Sequence, residues 1–154
     1  MNVPHSFWRI IKFGPRIAYA LGLGSLFGRM VLLLTTVGRK TGRPRVTPLV
    51  YDQQGDTILV ASARGARADW FRNIQANPSV HIRIGRRQLA GMATVVTDPD
   101  QIADYLERQF QRSPRMFGAI LRSEGLPSHP SRGDLLALAA RRPMIALRPA
   151  DHAP

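Results

Sequence analysis

Two short stretches of the 154-residue chain carry side chains whose types and spacing could do chemistry. The first runs from Leu34 to Leu49 and reads L-T-T-V-G-R-K-T-G-R-P-R-V-T-P-L. Gly38 and Gly42 bracket Arg39, Lys40 and Thr41, and Arg43 and Arg45 follow. Glycine lets a backbone approach an anion closely, and arginine grips phosphate or carboxylate through two parallel N–H bonds. Four cations, one hydroxyl and the exposed N–H groups of a glycine turn read as an anion cradle. The spacing G-x-x-x-x-G-K-[ST] is not met, so this is not a Walker A loop. On charge alone, a solvated basic hairpin turn is the competing reading.

The second stretch is Ala61-Ser62-Ala63-Arg64-Gly65, followed by Asp69-Trp70-Phe71-Arg72-Asn73. Small residues at a strand end admit a flat ring, and the N–H groups of a helix start favour an anion. Trp70 and Phe71 are placed either to flank a planar ligand or to anchor the helix. For Phe71 and Ile74 the anchoring role is expected; Ser62 and Arg64 read as ligand contacts.

Other chemistries are excluded. The chain has no cysteine, so disulfides, cysteine-ligated zinc, iron–sulfur clusters and thiol catalysis are out. His5, His81, His129 and His152 are scattered without metal-site spacing, and no metal is expected. Net charge is +12, from 22 basic and 10 acidic residues, and 20 of the basic residues are arginine. Met1 to Tyr51 holds eight basic residues and no acid, so anion-facing chemistry belongs in the first third. Nucleic acid, a membrane surface and a polyanionic cofactor all satisfy that charge. A nucleic-acid binder calls for aromatics on a basic sheet face, and the face carrying His81 and Arg83 has none.

The elements that must position these residues follow from pattern. Met30 to Val37 is a nearly continuous apolar, β-rich run, hence a strand buried on both faces. Arg45–Tyr51 and Thr57–Ser62 are strands joined by the turn Gln53-Gln54-Gly55-Asp56. Asp69 is expected to cap a short helix over Trp70–Ala76, closed by Asn77-Pro78. Val80, Ile82 and Ile84 alternate with His81 and Arg83, and Gly85-Arg86-Arg87 turns this strand into Gln88–Thr97. Asp98-Pro99 starts a helix, Ser113-Pro114 starts another that Gly125 ends, and Ser131–Asp134 is a capping box for a third. Met116, Phe117, Ile120 and Leu121 stand at helical spacing, as core or as the wall of an acceptor pocket. Met144–Arg148 is the last strand. Strands joined by short turns predict an antiparallel sheet closed or split into a small barrel, with segregated helices.

The pattern T-T-x-G-R-K-T-G-x-P-R-x-x-P-L, then A-S-x-x-G, then D-W-F-R-N-I-x-A-N-P, resembles the deazaflavin-dependent nitroreductase family. That family is the A-type branch of the flavin/deazaflavin oxidoreductase superfamily. The resemblance runs from about Val31 to Ile84 and continues as element order to Arg148. It implies an α+β split β-barrel of the FMN-binding type, about six mostly antiparallel strands with peripheral helices. It implies binding of the 8-hydroxy-5-deazaflavin coenzyme F-420, whose phosphate and oligoglutamate tail would account for the charge. By the resemblance, Arg39, Lys40, Thr41 and Arg45 hold phosphate and tail, and Thr47 and Pro48 line the groove. Ser62, Ala63 and Arg64 lie under the deazaflavin and its phosphate, and Trp70 and Asn73 close the ring pocket.

The implied chemistry is hydride transfer to a quinone-like, nitro or other conjugated acceptor, with the protein supplying orientation rather than a nucleophile. No catalytic residue is assigned. The tyrosine that relatives often carry near the acceptor has no counterpart, and Ala66-Arg67-Ala68 is shorter than the usual loop before D-W. Two alternatives keep the fold: an FMN-dependent reductase, and a non-catalytic lipid or haem carrier.

Residues 1–28 are expected to form a basic amphipathic helical segment ahead of a barrel domain at 29–150. Aromatic and basic residues without acids suit anionic headgroups. No stretch reaches the roughly 20 apolar residues of a membrane span. No A-x-A-like cleavage site follows the early apolar run. The expected place is the cytoplasm, at the inner face of the membrane, with pairing of two copies as a further expectation.

Overall fold

The computed structural model describes residues 31–62 and 65–150. The helical segment expected within 1–28, and Ala63 and Arg64, lie outside the described residues. Six strands form a closed barrel: β1 (Val31–Val37), β2 (Pro44–Gln54), β3 (Thr57–Ala61), β4 (Ser79–Ile84), β5 (Arg87–Val96) and β6 (Met144–Pro149). Their order around the barrel is β1-β2-β3-β6-β5-β4, and every neighbouring pair is antiparallel. Four helices accompany them: α1 (Asp69–Ala76), α2 (Pro99–Arg112), α3 (Pro114–Ser123) and α4 (Arg132–Ala139). This is the expected α+β barrel with segregated helices. Among the described residues no helix is long and apolar enough to cross a membrane.

Strand alternation sorts the side chains into two cores. Leu32, Leu34, Ile58, Val60, Val80, Ile82, Ile145 and Leu147 point inside the barrel, and Trp70, Phe71 and Ile74 of α1 join them. Leu59, Met144 and Ala146 face outward, beneath Ile102, Leu106, Phe117, Leu121 and Leu135 of α2, α3 and α4. β1 is buried from Leu32 to Thr36, as a doubly covered strand should be. Asp98 caps α2 by accepting from the Asp100 N–H at 3.0 Å, and Ser131 and Asp134 form the expected capping box of α4.

Three local expectations change. β2 is longer than Arg45–Tyr51, because pairing continues to Gln54 opposite Thr57 and leaves only Gly55 and Asp56 in the turn. Asp69 is not the cap of α1: Ala68 takes that position without a side-chain bond, and Asp69 is the first helical residue. His81 alternates away from the inner core yet is only 3% exposed, set opposite Thr35 of β1 and Ala90 of β5.

A buried carboxylate fastens the helical layer to the barrel. Asp52 on β2 has no exposed surface and pairs with Arg108 at 2.8 Å and Arg112 at 3.1 Å, both on α2. The Gln54 side-chain amide donates to the same carboxylate at 2.8 Å, and the Gln109 amide donates to the Tyr51 carbonyl at 3.1 Å.

Candidate functional site

The turn between β1 and β2 is held by its own backbone. The Gly38 N–H donates to the Arg43 carbonyl at 2.8 Å, and the Gly42 N–H to the Gly38 carbonyl at 2.7 Å. Both glycines are required. A Cβ on Gly38 would stand 2.8 Å from Thr41 Oγ1 and 3.0 Å from the Arg43 carbonyl oxygen. Gly42 has φ +65°, in the left-handed region. The Thr41 N–H also donates to the Gly38 carbonyl, and the Arg43 N–H donates to Thr41 Oγ1 at 3.2 Å.

This corrects part of the anion-cradle reading. The N–H groups of Gly38, Arg39, Thr41, Gly42 and Arg43 are all spent on the protein itself. Anion binding at this turn therefore falls to side chains. Thr41 contributes its hydroxyl proton, since its oxygen already accepts from Arg43.

Arg39 is latched across the top of the barrel. Its backbone N–H and its Nη1 both donate to Asn73 Oδ1, each at 3.1 Å. Its Nη2 donates to Asp69 Oδ1 at 3.0 Å. Asn73 is 3% exposed, and its Nδ2 donates to Thr36 Oγ1 at 3.2 Å. One buried amide thus ties the end of β1, the turn and α1 together. The hydrogen bond from Arg39, and then its charge, hold the Asp69 carboxyl below its ordinary pKa. Among the described residues, Lys40 and Arg45 engage no carboxylate, and both are exposed.

These groups surround a cavity of about 530 Å³. Arg39, Lys40, Thr41, Arg45, Thr47, Trp70 and Asn73 line it, seven of the eleven residues expected at the coenzyme. Gly38, Val46 and Asp69 complete the wall. Trp70 has a double role: it lines the cavity and is 7% exposed, packed edge-on against Phe71 with ring centroids 6.1 Å apart. Phe71 and Ile74 are core, as expected. A phosphate-bearing ring ligand fits this donor set: two exposed cations, a hydroxyl and an aromatic wall in one cavity of ligand size.

Pro48 and Ser62 fall elsewhere. They line a second cavity of about 240 Å³, between the outer face of β2 and β3 and helices α2, α3 and α4. Phe117, Ile120 and Leu121 line it too, while Met116 packs on the neighbouring core. Tyr105 also lines it, and its hydroxyl donates to the Val50 carbonyl at 3.5 Å. Burial pushes that phenol well above its ordinary pKa.

Sequence reasoning missed Thr36 and the latch role of Asp69. A polar Thr35-Thr36 pair ending an apolar strand was the available signal for Thr36. Nothing local marks Asp69, because its partner lies 30 residues away.

A family model described as F420H(2)-dependent quinone reductase matches residues 17–118, which is 102 of the 154. An F420H(2)-dependent quinone reductase of Mycobacterium tuberculosis is 39% identical over 74 residues, covering 45% of this chain and 50% of that protein. The alignment thus spans about half the length of that relative. A solved F420-H2 dependent reductase superposes with a TM-score of 0.54 at 19% identity, covering 78% of this chain and 95% of that one. The haem storage protein HutZ of Vibrio cholerae does so with a TM-score of 0.55 at 18% identity, covering 89% of each chain. At such identities the superpositions establish the barrel fold alone.

Proposed function

Because the chain belongs to the F420H(2)-dependent quinone reductase family, we propose that it reduces a quinone-like, nitro or other conjugated acceptor at the expense of reduced coenzyme F-420. When bound, the deazaflavin supplies the hydride. The chain supplies position, charge and exclusion of water. Lys40 and Arg45 draw in the phosphate and glutamate tail, Thr41 donates its hydroxyl proton, and Arg39 adds charge from its latched position. Thr47 and Pro48 line the groove. Ser62, Ala63 and Arg64 lie under the ring and its phosphate, and Trp70 closes the ring pocket. Asn73 is a positioning residue that keeps Arg39 and the turn in register.

The observation that carries this reading is the convergence of two exposed cations, a hydroxyl and Trp70 on one cavity of about 530 Å³. The test is a fluorescence titration of the protein with oxidised deazaflavin, beside FMN, at two salt concentrations. The expected result is tight binding of the deazaflavin, weakened by salt, with FMN much weaker. The Lys40→Ala/Arg45→Ala double variant loses affinity at least tenfold, keeps its melting temperature and shows a shallower salt dependence. Absence of deazaflavin binding would refute the reading.

The same reading extends to the ends of the chain. Residues 29–150 form the coenzyme-binding domain. Residues 1–28, with Arg9, Lys12 and Arg16 and no acid, rest on anionic headgroups at the inner face of the membrane. Two copies pair. Co-sedimentation of the full chain with anionic but not zwitterionic vesicles tests the membrane contact, and light scattering tests the pairing.

A further inference from the structure

We infer that the apolar cavity beneath α3 receives the hydrocarbon tail of the acceptor, a prenyl or similar branched chain. The inference rests on the coenzyme reading above and adds the substrate class. Protein interiors are packed to leave few voids larger than a water molecule. A cavity of about 240 Å³ in this small domain is therefore a built feature. Its wall is Val50, Ile102, Leu106, Phe117, Ile120 and Leu121. Cavities lined this way stay dry and take apolar ligands.

The polar groups at its edge are already matched. The Tyr105 hydroxyl donates to the Val50 carbonyl, and Glu124 and Arg142 form an ion pair with each other. Nothing there asks for a charged ligand. The cavity is also smaller than the roughly 300–1,000 Å³ that holds a whole cofactor or drug-sized molecule, so it suits part of a ligand. Ile120 stands at its mouth, 39% exposed, one of two large apolar side chains left so among the described residues.

Position supplies the remaining argument. Thr47 lines the basic cavity and Pro48, the next residue of β2, lines the apolar one. Successive Cα atoms lie about 3.8 Å apart. Ser62, expected under the deazaflavin, lines the apolar cavity as well. A flat acceptor ring beside the coenzyme can therefore drop a chain directly between β2 and α3.

The experiment compares 2-methyl-1,4-naphthoquinone with its 3-prenyl derivative on the full chain. Equilibrium dialysis without coenzyme gives the two affinities, and turnover with reduced coenzyme F-420 gives kcat/KM for each. The prenylated quinone is expected to be preferred at least about tenfold in both, since even one methylene in a fitted apolar pocket discriminates about that much. Ile120→Asp, at the exposed mouth, and Ala61→Leu, on the inner wall, should each abolish the preference. Should Ala61→Leu fail to fold, Ile120→Asp decides alone. Equal affinities in the unaltered protein, or a preference that survives Ile120→Asp, overturn the inference. With turnover intact, the coenzyme reading then still stands. A preference in dialysis without any turnover upholds the cavity and removes the coenzyme reading. Displacement of the prenylated quinone by decanoic acid as effectively as by itself would assign the cavity to a lipid chain and overturn the acceptor-tail inference.

Discussion

Replacing Asn73 by alanine tests whether one buried amide organises the site. The side chain makes three hydrogen bonds: two accepted from Arg39 at 3.1 Å each, and one donated to Thr36 Oγ1 at 3.2 Å. A typical bond contributes roughly 0.5–1.5 kcal/mol net, and one to a charged group more. Thr36 is fully buried, so its hydroxyl would also lose its donor without gaining water. Together these give a loss of about 3 kcal/mol in unfolding free energy. With a urea m-value of about 2 kcal/mol/M for a domain of this size, the unfolding midpoint falls by about 1.5 M. The same variant should weaken deazaflavin binding by about tenfold, because the turn carrying Lys40 loses its tie to α1. The salt dependence of binding should stay that of the parent protein, since alanine removes order and not charge. A double-mutant cycle with Arg39→Ala isolates the side-chain part of the latch, and the two changes should couple by about 1 kcal/mol. A midpoint shift under about 0.3 M, or additivity within about 0.5 kcal/mol, would refute the reasoning.

Asp52→Asn should cost about 2–4 kcal/mol, because both Arg108 and Arg112 lose a fully buried partner; the guanidinium groups reach solvent, which keeps the loss below that of a fully buried pair. Urea denaturation checks this, and deazaflavin affinity should not change. Burial, and then the Arg83 charge, lower the pKa of His81. The folded protein thus favours neutral His81. The stability this provides is complete above the ordinary value of 6.5 and is lost as pH falls toward the lower folded value. Melting temperature should therefore drop on acidification through this range, and His81→Gln should flatten the profile. The Asp69 carboxyl, held low by Arg39, should titrate below the ordinary carboxylate range in a ¹³C NMR experiment. In Arg39→Ala its midpoint should return toward the ordinary value.

Much of the fold is legible in local pattern. The apolar run of β1, the alternation of β4, the Asp98 cap and the Ser131–Asp134 box each encode an element within a few residues, and each forms where it is expected. Short turns between strands imply an antiparallel barrel, because parallel neighbours need long crossovers. The G-R-K-T-G turn also announces its charge and its bend, since Gly38 and Gly42 answer local steric demands. What tertiary structure decided is how those groups are spent. The turn's N–H groups close on the protein itself, Arg39 turns to Asp69 and Asn73, Pro48 and Ser62 face an apolar cavity, and His81 is buried on the outer face of β4. Each of these outcomes depends on a partner far away in sequence: 34 residues separate Arg39 from Asn73, and 56 separate Asp52 from Arg108. Periodicity and turn chemistry carry no information across such distances. Only closure of the barrel and docking of the helices bring the partners within bonding range.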